Sequence, residues 1–284
     1  MGKIINSYIF PHPPIIVPGI GMGREKAAIA TIEACKTVAR EIAKDSPTTI
    51  IISTPHAPSF RDFIVISDSE SLAGDFGDFG QMEISMDFEN NLLLASEIIE
   101  NALAKDINAG FLSEHDKRQY QISDRLDHGA MVPLYFVKQE FEKINHKCKV
   151  IHLSTPFLKN KELYEFGKCI QKSVLASDEK VVYIASGDLS HRLTKDAPAG
   201  YNPIGKVYDA AMVEIVLHAK VDEILAITDQ EMEDAGECGT RSFVIMFGAL
   251  SGYGIRPFVY SYEGPFGVGY LVAKIEITNR NINK

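Results

Sequence analysis

Two stretches of this chain, 48–53 (TTIIIS) and 180–186 (KVVYIAS), carry apolar residues in succession rather than on alternate positions. A strand reads this way when both of its faces are covered, which points to a layered fold with helices on either side of a sheet. Helical periodicity fills the segments between the strands. Over 24–44, Ala28, Ile32, Cys35, Ala39 and Ile42 recur at helical spacing. Helices are also expected over 89–105, 129–142, 160–176, 204–219, 221–227 and 239–251, with Pro133 tolerable only in a first turn. Further strands are expected at 3–10, 62–67, 148–154, 257–262 and 267–277, the last two joined by a Glu-Gly-Pro-Phe-Gly turn into an antiparallel hairpin. Residues 71–81, rich in Gly, Asp and Phe, read as a mobile loop. The fold class that follows is α/β: a three-layer αβα arrangement around a central mixed, largely parallel sheet, as one domain over 1–284.

Charge narrows the function. The formal net charge is -9 and no Lys/Arg block interrupts the chain, so nucleic acid and anionic membrane surfaces are not expected partners. A small anionic substrate stays open, because a local pocket can oppose the net charge. Cys35, Cys148, Cys169 and Cys238 are scattered without C-x-x-C spacing, which speaks against a zinc knuckle and a disulfide framework. No apolar run is long enough to span a membrane and no signal-type leader opens the chain, so the expected location is the cytoplasm.

Three histidines share one context. His12, His56 and His191 each follow the end of an expected buried strand. Sites in open α/β sheets form beyond the carboxyl ends of strands, so the three are expected to converge. Two imidazoles and a carboxylate, with positions left open, make the facial triad of non-haem iron(II) oxygen chemistry. The candidate carboxylate is Glu237, held between glycines in Ala235-Gly236-Glu237-Cys238-Gly239 just before a buried helix. A fourth histidine, His128, opens a helix beside Asp127, which could orient the ring or cap the helix.

Each residue taken singly has an ordinary reading. His12 and His56 sit among prolines and suit rigid turns, and Glu237 could pair with Arg241 one helical turn on. Three strand-end histidines together favour a site. His115 and His146 are expected in polar loops, His218 at a helix end, and His152 packed within a strand. The same donor types would also suit zinc and an activated water, as in a hydrolase.

These residues carry a resemblance. Phe10-Pro11-His12-Pro13-Pro14, Thr54-Pro55-His56-Ala57-Pro58, Leu126-Asp127-His128-Gly129, Ser186-Gly187-Asp188-Leu189-Ser190-His191 and Ala235-Gly236-Glu237-Cys238-Gly239 occur in an order that resembles the class III extradiol ring-cleavage dioxygenase superfamily, the LigB-like fold. The terminal Ser261 to Tyr270 segment is similar to that family as well. The chain looks closest to the LigB-like proteins of the AmmeMemoRadiSam system, which also includes the Memo branch.

The resemblance implies Fe(II), or zinc or another divalent metal in its place, held by His12, His56 and Glu237. It implies His191 as the catalytic acid/base and His128 as a catalytic histidine contacting substrate or oxygen. It also implies a small catechol-like or 2-aminophenol-like substrate, O2 as co-substrate, a homo-oligomer, and AmmeMemoRadiSam partner proteins. A domain of different fold follows in several such proteins; with this chain ending at Lys284, it is expected as a separate partner or not at all. The Memo branch implies an alternative, a metal- or ligand-binding protein without oxygenase activity, whose altered site resembles Cys238-Gly239.

Overall fold

The computed structural model describes residues 1–279. In chain order its elements are β1 (Lys3–Phe10), α1 (Ile29–Asp45), β2 (Thr49–Thr54), β3 (Ile64–Val65), β4 (Ser71–Phe76), β5 (Gln81–Glu89), α2 (Leu92–Leu103), β6 (Ala109–Gly110), α3 (Glu114–Tyr120) and α4 (His128–Lys143). Then follow β7 (Lys149–Ser154), α5 (Asn160–Ala176), β8 (Lys180–Ser186), α6 (Ile204–Leu217), α7 (Val221–Ala226), α8 (Asp229–Ala235), α9 (Thr240–Ala249), β9 (Gly254–Glu263) and β10 (Tyr270–Asn279).

The central sheet has the strand order β7-β2-β8-β1-β10-β9. The first four strands run parallel, and β10 and β9 close the sheet antiparallel, so the sheet is mixed as expected. The two faces of β8 explain its continuous apolar run. Val181, Tyr183 and Ala185 pack into one core with α2, α5, α6 and α9, whereas Val182 and Ile184 pack into a second core with α1 and α4. Helices therefore cover both faces, which is the three-layer αβα arrangement. Among the described residues no helix is long and apolar enough to cross a membrane.

The structure corrects several expectations. Residues 71–81 are not a loop: β4 pairs antiparallel with β5, and a 3-10 turn at Gly77–Phe79 links them. Leu72, Gly74 and Phe76 face inward on alternate positions, and Gly74 lets the strand lie against Met131, whose sulfur would stand 2.5 Å from an added Cβ. Strand 62–67 shrinks to Ile64–Val65. The helix expected from 24 begins as a 3-10 segment, Arg24–Ala28, and becomes α-helical at Ile29. The short polar helices α3 and α8 have too few apolar residues for periodicity to reveal, and α3 takes His115 out of the loop expected for it.

Pro133 lies inside α4, past the first turn. Proline has no N–H to give to the carbonyl four residues earlier, that of Gly129. The Ser186 hydroxyl donates to that carbonyl instead, so the helix continues without leaving a buried acceptor bare.

Candidate metal centre

Strands β2, β8 and β1 are neighbours and run parallel, so their carboxyl ends lie side by side. His56 leaves the end of β2, His12 the end of β1, and His191 the longer segment after β8. His128 arrives from a different layer as the first residue of α4. The ligand atoms of His12, His56 and His128 all lie within 4.8 Å of one another. Nε2 of His56 stands 3.1 Å from Nε2 of His12, and the His56 and His128 ring centres are 4.0 Å apart. His12 is buried, His128 half-buried and His56 exposed, so the cluster opens to solvent on the His56 side. Phe79, at the tip of the β4–β5 hairpin, sets its ring edgewise to His128 at 5.6 Å and gives the cluster an aromatic wall.

Hydrogen bonding fixes the His12 ring. The Ser186 proton goes to Gly129, so the Ser186 oxygen is left to accept from His12 Nδ1, 2.9 Å away. With its proton on Nδ1, neutral His12 presents a bare Nε2 lone pair to the cluster. His128 is placed by its neighbour. Asp127 Oδ1 accepts from the Gly129 and Ala130 amides at 2.7 and 3.2 Å, capping α4. The same oxygen accepts from Thr54 at the end of β2, and Oδ2 accepts from His152 Nε2 at 2.8 Å. Ser67 in turn bonds His152 Nδ1 at 2.9 Å. His152 thus does more than pack within its strand. Burial alone would raise the Asp127 carboxyl, but the His152 hydrogen bond and charge, with Thr54, hold it well below the usual carboxylate range.

Burial also governs the three imidazoles. It lowers His12, with repulsion from His56 adding to it; it lowers His56, with His128 adding; and it lowers His128, with His12 adding. Three neutral rings with converging nitrogens form a donor set for a divalent metal.

Glu237 stands outside this cluster. Its Oε2 accepts from the Thr240 amide at 2.7 Å at the start of α9, while Oε1 is buried without a partner among the described residues. Burial raises the Glu237 carboxyl above its ordinary range, against the Thr240 hydrogen bonds. Arg241 pairs with Asp229 at 3.0 Å rather than with Glu237. Cys238 is the residue of this segment that reaches the cluster, its Sγ 3.6 Å from His12 Nε2. The Cys238 amide donates to the Asp188 carbonyl at 3.2 Å, and the Asp188 amide donates to Cys238 Sγ at 3.3 Å, which staples the 237–238 segment to the end of β8. Where they cross, a Cβ on Gly187 would stand 2.2 Å from Gly239 Cα, so the segment after β8 and the start of α9 could not approach this closely with a side chain there. Burial of Cys238, with Asp188 and Glu237 nearby, pushes its thiol well above the ordinary value.

His191 is held by its backbone. Its amide donates to the Gly236 carbonyl at 3.3 Å, while Nδ1 is buried and unpartnered among the described residues. Before it, the Ser190 amide donates to Asp209 at 2.8 Å, and Tyr262 donates to the other Asp209 oxygen at 2.7 Å.

Of the expected site residues, the structure therefore gathers His12, His56 and His128, and sets His191 and Glu237 on the flanking segments. Ser186 and His152 were named in the sequence without a role at the site, and Asp209 was not picked out at all. Only the Asp127–His128 pairing hinted at the hydrogen-bonded frame they build.

Comparison with known proteins agrees with this architecture. The structure of an uncharacterized protein, JW3007 from Escherichia coli K12, superposes with a TM-score of 0.61 over 95% of this chain and 99% of that one, at 12% identity, a likeness of fold. Protein CA_C1420 of Clostridium acetobutylicum is 39% identical over 277 residues, 98% of this chain, and this chain spans 58% of its length. The 2-aminophenol 1,6-dioxygenase beta subunit of a Pseudomonas species is 22% identical over 302 aligned residues, 96% of this chain and 94% of that subunit. Residues 6–273 match the family described as the catalytic LigB subunit of aromatic ring-opening dioxygenase, and the chain belongs to that LigB family.

Proposed function

We propose that this protein is an Fe(II)-dependent extradiol dioxygenase that opens a catechol-like or 2-aminophenol-like ring. The observation that carries the reading is the convergence of three neutral imidazoles beyond the carboxyl ends of adjacent parallel strands. The chain's own atoms fit a divalent ion: His12 Nε2 is free by its tautomer, and Glu237 Oε1 is a buried oxygen in want of a partner. His12, His56 and Glu237 would hold the iron, with His128 beside it. Bound there, iron(II) would supply a Lewis-acidic, redox-active centre for an ortho-disubstituted ring and O2.

The protein's residues do the rest. His191, with Nδ1 unpartnered, would take a proton from the ring hydroxyl or amine and return it as the ring opens. Acid–base help of this kind is worth roughly 100- to 10,000-fold. His128 would meet the substrate ring or oxygen, with Phe79 at its edge. Asp127 and its partners keep His128 in place.

The experiment is anaerobic reconstitution with Fe(II), then O2 consumption with a panel of catechols and 2-aminophenols. Iron-dependent uptake that persists in iron stoichiometry but disappears in turnover for His191→Ala, and disappears in both for Glu237→Gln, supports the assignment. A Glu237→Gln protein that binds iron and turns over normally removes Glu237 from the site.

A second reading is favoured by one observation, Cys238 Sγ at 3.6 Å from His12 Nε2. In that reading the protein is a Memo-like metal- or ligand-binding member of the AmmeMemoRadiSam system without oxygenase activity. Tight metal binding that weakens in Cys238→Ser, with no O2 uptake on the whole panel, would establish it.

A further inference from the structure

Helix α6 packs mainly through apolar side chains, with Tyr208, Met212, Ile215 and Val216 in the core it shares with α2, α5 and α9. One residue on its buried side breaks the pattern. Asp209 has no solvent exposure at all, and it is the only acid among the described residues of which that is true. A carboxylate is expensive to bury unless its oxygens are bonded, and here each has one partner. One oxygen accepts from the Ser190 amide at 2.8 Å and the other from the Tyr262 hydroxyl at 2.7 Å. The approach is close enough to need two glycines. A Cβ on Gly205 would stand 2.4 Å from Ser190 Oγ, and one on Gly269 would stand 2.0 Å from Asp209 Oδ2.

The residue before Asp209 reaches the other flanking segment. The Tyr208 hydroxyl bonds the Thr240 hydroxyl, and both Thr240 donors, amide and hydroxyl, go to the Glu237 carboxylate. The two segments are also bonded to each other. Ser190 Oγ donates to the Ala235 carbonyl at 2.7 Å, and the His191 amide donates to the Gly236 carbonyl at 3.3 Å. They make one strip that carries both His191 and Glu237. Consecutive residues of α6 hold that strip at two points, Asp209 through Ser190 and Tyr208 through Thr240.

We propose that Tyr208 and Asp209 are a pair of positioning residues for the candidate centre, with separate tasks. Asp209, braced by Tyr262 on the outermost strand β9, sets where His191 stands. Tyr208, through Thr240, sets how the Glu237 carboxylate is turned. Removing one disturbs proton handling and removing the other disturbs metal affinity, although both side chains leave the same stretch of helix. A pair with only a packing role would weaken both properties alike, through stability. The proposal rests on the dioxygenase reading for the task of His191, but the tethers themselves are a property of α6.

The test measures three quantities on each variant: Zn(II) affinity by chelator competition, kcat per bound iron and KM for O2 uptake with the catechol and 2-aminophenol panel, and amide exchange in the metal-free protein. Asp209→Ala is expected to lower kcat roughly 100-fold, as for a group displaced by about 1 Å, with KM and Zn(II) affinity unchanged. Asp209→Asn, which keeps an oxygen for the Ser190 amide, recovers most of kcat. Tyr262→Phe gives a smaller fall and serves if Asp209→Ala does not fold. Tyr208→Phe is expected to weaken Zn(II) binding by roughly 10- to 100-fold, with kcat per bound iron unchanged. Tyr260→Phe, which removes a hydroxyl that donates to Glu41 on α1, lowers stability alone. Asp209 and Tyr208 variants that lower kcat and Zn(II) affinity alike, or lower neither, overturn the proposal. A wild type that consumes no O2 removes the ring-cleavage reading, and exchange then decides the tethers. Exchange that rises above that of β8 at the His191 amide in Asp209→Ala, and at the Thr240 amide in Tyr208→Phe, keeps them; unchanged exchange overturns them.

Discussion

Ser186 joins two needs at a buried position, and removing its hydroxyl should expose both. In the wild type it donates to the Gly129 carbonyl, which Pro133 leaves without a helical donor, and accepts from His12 Nδ1 at 2.9 Å. Ser186→Ala strands both groups where Ser186 is fully buried. An unsatisfied buried polar group costs about 1–3 kcal/mol, so the loss should be roughly 2–6 kcal/mol in the metal-free protein. Pro133→Ala supplies an amide that can reach the Gly129 carbonyl by the ordinary helical bond. In the double variant, one of the two stranded groups regains a partner, and the cycle should show a favourable coupling of about 1–3 kcal/mol. Metal affinity should behave differently. His12 Nδ1 remains without its acceptor in both Ser186 variants, and loss of such a partner typically weakens a site by roughly 10- to 100-fold. Urea unfolding of the four metal-free proteins gives the coupling, and Zn(II) or Fe(II) titration gives the affinity. Additive stabilities within about 0.3 kcal/mol would refute the shared-carbonyl reasoning. Metal affinity recovering together with stability would refute the tautomer assignment.

Three further outcomes follow from the same frame. Gly187→Ala places a Cβ 2.2 Å from Gly239 Cα, against the ~3.5 Å or more of an ordinary carbon contact, so the two segments must part by about 1 Å. A displacement of that size costs roughly 100-fold in activity, read as O2 uptake, whereas Gly80→Ala, with φ +79° and open space around it, should lose only stability; equal activity losses would deny the crossing its role. Asp209 is pushed up to about 6 from 3.8, by burial first and against the Tyr262 and Ser190 hydrogen bonds. Its contribution is therefore fully present below about 3.8 and lost as pH rises through about 6, a span of about 3 kcal/mol at most. Asp209→Asn should flatten the pH dependence of unfolding free energy between these values, and an unchanged slope would show that Asp209 titrates normally. Gly248→Ala puts a Cβ 2.1 Å from the Tyr164 carbonyl, where α9 crosses α5, and should lower stability by about 1–3 kcal/mol in urea unfolding with no change in the metal-to-protein ratio.

What could be read in the sequence divides by range. The strands 48–53 and 180–186 and the helix 160–176 announced themselves because their patterns are local: the strands are covered on both faces, and the helix repeats one buried apolar face at helical spacing. The histidines at strand ends followed from the same regularity, since β1 and β2, parallel with β8 between them, put His12 and His56 on one edge. The β4–β5 hairpin was hidden because Gly74, Gly77 and Gly80 speak for a loop, while the inward Leu72 and Phe76 depend on a partner strand that no local pattern discloses. Pro133 misled for a related reason: the residue that satisfies Gly129 is far away in the chain. Distances such as the 3.6 Å between Cys238 Sγ and His12 Nε2, or the absence of Glu237 from the imidazole cluster, arise from three-dimensional closure and have no signature in spacing.

The long-range bonds converge on one place, the first turn of α4. Asp127 ties that turn to Thr54 on β2 and to His152 on β7, and the Gly129 carbonyl ties it to Ser186 on β8, whose oxygen holds His12 after β1. Gly129 must lack a side chain for this, because a Cβ there would meet Thr54 Oγ1 at 2.2 Å and His56 at 3.2 Å. All three clustered histidines are thus referenced to four strands through a single helix start. Bonds to Asp127 and Gly129 made inside a low-dielectric core are individually worth a few kcal/mol and fail together rather than one by one. The histidine cluster should therefore melt with the central sheet, and amide exchange at Gly129 and Ala130, whose N–H groups both go to Asp127, should report global unfolding rather than local fraying. Exchange at these two amides orders of magnitude faster than in β8 would mean that the helix start opens on its own, and with it the frame that holds the site.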